Sequence, residues 1–167
     1  MEEGKRADVL LIYPRLGSFD TIIRDIPLSL IYAASDSVKN GYRVKIFDCR
    51  LHPRDFMERI DALLKEGCHL VGLSVMTGYP IKTALAISQF VKEKYCVPIV
   101  WGGPHPTVLP EQTLENPNID YVIRDWGSRP LYQLLSYLKD DACAIEDIKG
   151  LGYKKDGKIH LNQATRN

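Results

Sequence analysis

The run Val100-Trp101-Gly102-Gly103-Pro104-His105-Pro106-Thr107 ends a short apolar stretch on a glycine pair, followed at once by two prolines that bracket a histidine. Where a buried strand stops on two residues without a Cβ, another molecule can lie against bare backbone, and the prolines fix the turn beyond. A flat or extended molecule suits such a place. A buried strand also needs neighbours on both sides, and the chain supplies them.

Val9 to Tyr13, Val44 to Phe47, Leu70 to Val75, Ile99 to Trp101 and Ile119 to Ile123 are near-continuous apolar runs rich in Ile and Val. Runs of this kind suit strands covered on both faces. Between them lie segments of helical spacing: Ile26, Leu30, Ala33 and Ala34; Phe56, Ile60, Leu63 and Leu64; Ile81, Ala84, Leu85 and Val91; and Leu131, Leu134, Leu135 and Leu138. Each is an apolar stripe on an otherwise polar helix. Gly41 and Gly67 fall where the first two helices should stop, and Pro80 and Pro130 where the third and fourth should start.

Strands separated by helices require right-handed crossovers, so the expected fold class is α/β: a flavodoxin-like, doubly wound, five-stranded parallel sheet of order 2-1-3-4-5. Ile148 to Leu161 reads as two short strands about Lys155-Asp156-Gly157, a C-terminal β-hairpin extension. The polar stretch from Asn162 to Asn167 looks like the start of a linker. The expected organisation is a Rossmann-like domain over 1–147 and a hairpin with linker over 148–167, leading to a further domain outside this chain.

At 167 residues, 45% hydrophobic and 26% charged, the composition is that of one ordinary domain. The 22 basic and 21 acidic side chains leave a net charge of +1, which makes no case for nucleic acid or an anionic membrane. The apolar run ending at Pro14 is too short for a signal peptide or a bilayer span, so a cytoplasmic location is expected. Cys49, Cys68, Cys96 and Cys143 form no metal knuckle or redox pair and read as reduced thiols.

In open parallel sheets ligands bind beyond the carboxyl ends of the strands, where the winding reverses. The loops that face such a site are Tyr13 to Asp20, Ser74 to Pro80, Gly102 to Thr107 and Arg124 to Arg129. They offer small residues, hydroxyls and one indole, with few acid–base groups. No G-x-G-x-x-G follows the first strand, and there is no Walker A motif. The first loop lacks the hydroxyl cluster that holds a flavin phosphate, and the third strand ends in Ser74 where a phospho-receiver would have aspartate. A nucleophile elbow at Ser74 would need a second glycine where Met76 stands. Binding is the better expectation than catalysis.

Ser74-Val75-Met76 and Gly102-Gly103 resemble the S-x-L and G-G elements of cobalamin-binding domains. The likeness extends through Pro27-Leu28-Ser29-Leu30-Ile31-Tyr32-Ala33-Ala34, Asn40-Gly41-Tyr42-Arg43-Val44, Gly102 to Thr107, Pro110-Glu111, Asp120 to Arg124 and Ile148 to Tyr153. Over nearly the whole chain, from Val9 to Leu161, it is similar to the N-terminal domain of cobalamin-dependent radical SAM enzymes. That family receives the nucleotide tail of cobalamin in a slot between sheet and helices. The corrin lies across the strand ends. Small residues make room for the base, and a hydroxyl from Ser74 or Thr77 supplies a donor to its ring nitrogen.

The resemblance implies cofactor contacts from Pro14, Arg15, Leu16 and Gly17 after the first strand, and from Ser74, Met76, Thr77 and Gly78 after the third. It implies others from Gly102, Gly103, Pro104 and His105 after the fourth, and from Trp126 and Gly127 after the fifth. It implies no catalytic residue and no protein metal ligand. Cobalamin methyltransferases and mutases carry D-x-H-x-x-G after the first strand; this loop has no histidine, so base-off cobalamin without a protein imidazole is implied. The lower face of cobalt is then left to Arg15, Leu16 or water. His105 is expected to be structural or to touch the nucleotide tail, and His52 to lie on the surface. Tyr13 and Tyr79 either cover the corrin or pack in the core, and Trp126 either closes the site or meets a neighbouring domain. Where the branch shows G-E-G-E, this chain has Asp125-Trp126-Gly127-Ser128, so any role of those glutamates is missing.

No C-x-x-x-C-x-x-C is present, so the [4Fe-4S] cluster and S-adenosylmethionine belong to a radical SAM barrel outside this chain, or the protein is a stand-alone carrier. The tail from Asn162 favours the barrel. The full protein would use cobalamin for methyl transfer or related radical chemistry. Two other readings stand beside it: a flavodoxin-like module for another nucleotide, or a family member that has lost its cofactor; and a small hydrolase built on Ser74.

Overall fold

Val9–Tyr13 (β1) is an interior strand of the sheet, and its residues are apolar because helices cover both of its faces. The computed structural model describes residues 6–22, 25–140 and 142–164. The N-terminal residues 1–5 and the end of the expected linker, 165–167, lie outside them. Val44–Asp48 (β2), Leu70–Ser74 (β3), Ile99–Gly102 (β4) and Tyr121–Ile123 (β5) are all parallel to β1, in the order β2-β1-β3-β4-β5. Leu151–Lys155 (β6) then pairs antiparallel with β5, and Lys158–Leu161 (β7) with β6. The expected hairpin therefore continues the same sheet and brings it to seven strands.

The helices are Leu28–Lys39 (α1), Phe56–Lys65 (α2), Tyr79–Tyr95 (α3), Pro104–Val108 (α4), Pro110–Leu114 (α5) and Ser128–Asp140 (α6). Alternate strand residues point to opposite helical layers. Val9, Leu11, Leu70, Val100 and Ile123 pack with residues of α1 and α6. Leu10, Ile12, Val71, Ile99 and Trp101 pack with those of α2 and α3. Trp101, 1% exposed, settles its one polar atom by donating Nε1–H to Ser88 Oγ of α3 at 3.0 Å.

Three expectations shift. Ile26 lies before α1 and is exposed, because the ring of Pro27 disfavours helical backbone in the residue ahead of it. Ile119 is buried but precedes β5, in a turn where its N–H donates to Asn116 O. The prolines after β4 do more than set a turn. Pro104 and Pro110 each open a short helix, and α5 carries Leu114 into the core at 0% exposure.

At the amino ends of the strands, the Asp8 carboxylate accepts from the Arg43 backbone N–H at 2.7 Å and from Lys139 Nζ at 2.9 Å. This one side chain ties β1 to the approach of β2 and to the end of α6, far from the carboxyl ends.

Candidate functional site

The α1–α6 side of the sheet carries Gly72 in the middle of β3 and Gly102 at the end of β4, beside Leu11 and Val100. Leu11 and Val100 pack over Gly72, while the missing side chain of Gly102 leaves the sheet surface low at the strand end. Above it, α1 and α6 lean on one another. A Cβ on Gly127 would come within 3.5 Å of Ala33 Cβ, and Ser128 Oγ donates to Asp36 Oδ2 at 3.0 Å. The two effects open a cavity of about 610 Å³ between the sheet and this helix pair. That volume falls in the ~300–1,000 Å³ range of small-molecule sites. Its floor is Leu11, Gly72, Val100, Ile123 and Leu131, all buried. Its mouth is set by Ser29, Tyr32, Thr107, Asp125 and Trp126, half-buried or exposed.

Polar groups cluster at that mouth. Ser29 Oγ of α1 and Ser74 Oγ of β3 are 3.2 Å apart. Thr107 Oγ1 donates to Gly103 O and accepts from the Asp125 N–H, each at 2.9 Å. Asp125 takes a left-handed backbone, φ 61°. This is the position where the resemblance has the first glycine of G-E-G-E; the conformation explains the glycine, and Asp is among the few side chains that tolerate it. Trp126 meets Tyr32 edge-on, with ring centroids 5.5 Å apart, so the mouth is bridged by an aromatic pair from opposite walls.

The glycine pair divides its work. Gly103 has φ 98°, and a Cβ there would stand 3.0 Å from both Val75 N and Val75 O. It is glycine because the chain after β4 crosses the chain after β3 at contact distance. Val75 N–H donates to Gly102 O at 2.8 Å and His105 N–H to Val75 O at 3.0 Å, which stitches the two loops together. A Cβ on Gly102 would meet only Ile123 O, at 3.9 Å. Gly102 is therefore a gap kept open on the cavity side.

Of the residues expected at a site, Ser74, Gly102, Gly103, Pro104, Trp126 and Gly127 line this cavity. Pro14, Arg15, Leu16 and Gly17 follow β1 but are not part of its lining. There Arg15 Nε donates to Asp20 Oδ2 at 2.7 Å, Leu16 N–H to Asp20 Oδ1 at 2.6 Å, and the Tyr79 ring rests on Gly17. Tyr13 lies beneath the Arg50 guanidinium, 4.4 Å from its ring centroid. Met76, Thr77 and Gly78 form an exposed loop at the carboxyl end of β3.

His105 is buried on the other side of the sheet, tilted against Trp101, with Nδ1 3.3 Å from Thr77 Oγ1. Burial holds its imidazole below the ordinary value. His52 stacks on Phe47 and His160 on Tyr153, and neither lines the cavity. The four cysteines are free; burial pushes the Cys49 thiol up to about 12 and that of Cys68 to about 11. Among the described residues no group of three or more His, Cys, Asp or Glu is placed to hold a metal, and no helix is long and apolar enough to cross a membrane.

Sequence reasoning placed Thr107 and Asp125 in loops that face the site without naming either as a contact, and it missed Ser29, Tyr32 and Ala33 of α1. The trace was there in α1, where Ser29 and Ala33 are one turn apart and put two small side chains on one face.

A doubly wound α/β sheet with a slot opened by glycines beside its carboxyl ends defines a small-molecule-binding domain. Residues 16–135 match the family model of the B12 binding domain, and the chain belongs to that family. It is 34% identical over 136 residues to PH0819 of Pyrococcus horikoshii, described as an uncharacterised methyltransferase, a match spanning 80% of this chain and 29% of that protein. Two solved structures share its fold with a TM-score of 0.80. One is the radical S-adenosylmethionine methyltransferase TsrM of Kitasatospora setae with cobalamin and a [4Fe-4S] cluster bound, 19% identical, covering 96% of this chain and 29% of that one. The other is the cobalamin-dependent S-adenosylmethionine radical enzyme OxsB with aqua-cobalamin and S-adenosylmethionine bound, 23% identical, covering 98% and 23%. This chain thus corresponds to less than a third of each of these relatives.

Proposed function

We propose that the chain is the cobalamin-holding part of a radical SAM enzyme. The observation that carries this is the cavity left beside Gly102 under α1 and α6. Its fit to the cofactor's nucleotide tail is chemical as well as spatial: apolar floor for an aromatic base, hydroxyls of Ser29 and Ser74 at the mouth for its ring nitrogen and ribose. Pro14 to Gly17, Met76 to Gly78, Pro104 and Trp126 would meet the corrin over the strand ends. With the base in this cavity the cofactor would be base-off, and the loop from Tyr13 to Asp20, which holds no histidine, would offer cobalt no imidazole.

Exposed Leu28, Val108 and Trp126 stand around the same mouth. Apolar side chains left in water there suit a surface that the corrin and a following barrel domain cover. That barrel would carry the [4Fe-4S] cluster and S-adenosylmethionine, and cobalamin would supply methyl transfer or related radical chemistry. This chain's own residues would orient the corrinoid and bury its tail. Ser74 has Ser29 for a partner, and a second hydroxyl is no general base for a hydrolase. Mixing the purified chain with hydroxocobalamin tests the proposal: a corrinoid that co-elutes with protein supports it, and a free corrinoid peak with unchanged spectrum overturns it.

A further inference from the structure

We infer that the cavity selects the base of the corrinoid it holds, taking a benzimidazole and rejecting a purine such as adenine. This rests on the cavity being the seat of the nucleotide tail. The floor side chains, Leu11, Val100, Ile123 and Leu131, have no polar atom. The backbone of Leu11 and Val100 belongs to the parallel ladders β1–β3 and β3–β4, that of Ile123 pairs antiparallel with β6, and that of Leu131 lies in α6, so these amides and carbonyls are committed to hydrogen bonds of the sheet and helix.

The Tyr32 hydroxyl and the Trp126 indole N–H stand at the exposed rim of the mouth, so the donors that reach inward are few. Ser29 and Ser74 share one proton between their hydroxyls, which leaves the pair one proton to give. Thr107 Oγ1 spends its proton on Gly103 O and accepts from the Asp125 amide. The Asp125 carboxylate can only accept, and it follows β5, two strands from Ser74 and about 10 Å away at ordinary strand spacing. A benzimidazole released from cobalt has a single in-plane acceptor, which one hydroxyl proton satisfies. Adenine attached through one ring nitrogen presents three more and an exocyclic amine. Most of those would face Leu and Val, and polar groups buried without partners cost affinity.

The test is a set of titrations of the 167-residue chain, followed by visible absorption and calorimetry. The probes are aquocobalamin, its adenine-base analogue, and cobinamide, which has no base. Cobalamin should bind most tightly and the adenine analogue weaker by about tenfold or more. Val100→Thr, which sets a hydroxyl in the floor at nearly constant volume, should narrow that gap by improving the analogue. An adenine analogue within about threefold of cobalamin overturns the inference. Cobinamide binding as tightly as cobalamin also overturns it, because the base then sits elsewhere, while the cobalamin reading survives. Binding of none of the three overturns both.

Discussion

Ser29 Oγ and Ser74 Oγ stand 3.2 Å apart although 45 positions separate them in the chain, so the first turn of α1 and the end of β3 meet at the mouth of the cavity. Either hydroxyl can give the proton that the other does not, and the pair is redundant. Ser29→Ala and Ser74→Ala should each weaken aquocobalamin binding by no more than about threefold, and the double variant by about tenfold. Spectroscopic titration of the three variants checks this. Equal loss in a single and the double variant would assign the donor to one serine alone.

Gly102 and Gly103 are adjacent yet should respond oppositely. Gly103→Ala forces a Cβ to 3.0 Å from the Val75 backbone at a positive φ, and should lower stability by about 1–3 kcal/mol in denaturant melts. Gly102→Ala has open space ahead of it and should leave the melt nearly unchanged. Gly102→Trp should fill the slot and abolish corrinoid binding by a chain that is still folded, as judged by circular dichroism.

Stability should depend on pH near neutrality. Burial holds the imidazoles of His69 and His105 below their ordinary value of 6.5. The unfolded chain then takes up these protons first as pH falls, so the stabilisation is complete above 6.5 and is lost as pH drops through 6.5 toward the depressed folded values. Melting temperature should decline from about pH 7 to 5, and His105→Gln should flatten part of that slope. A wild-type midpoint that is constant across the window contradicts this account.

Asp8 provides a control at the far end of the sheet. Burial pushes its carboxyl up, but the Arg43 amide and the Lys139 ammonium outweigh burial, and the net position is below the ordinary 3.8. Its contribution is therefore present above pH 3.8 and lost as pH falls further, a window separate from that of the histidines. Asp8→Asn should cost about 1–3 kcal/mol in chemical denaturation and leave corrinoid affinity unaltered.

Much of the fold was legible because its signals are local. Val9 to Tyr13 is apolar without alternation since helices cover both faces of β1, and Gly41, Gly67, Pro80 and Pro130 mark helix ends by backbone chemistry alone. Half of the site was legible for the same reason: Ser74, Gly102 and Gly103 sit at strand ends. Ser29 was not, and Thr107 and Asp125 were legible only as members of loops facing the site, because the part each plays comes from tertiary placement. Ser29 depends on the lean of α1 toward α6, and Asp125 on the Thr107 hydroxyl that holds its left-handed turn. The short helices after β4 were hidden by their prolines, which read equally well as a turn or as a helix start.

In the proposed function this cavity would hold the tail of a base-off cobalamin with no protein imidazole on the metal. The most direct measurement is the electron paramagnetic resonance spectrum of cob(II)alamin bound to the purified chain, taken on the fraction that co-elutes with protein. The account predicts an equimolar complex whose cobalt signal lacks splitting from an axial nitrogen. A complex that shows such splitting, or cobalamin that elutes wholly apart from the protein, contradicts it.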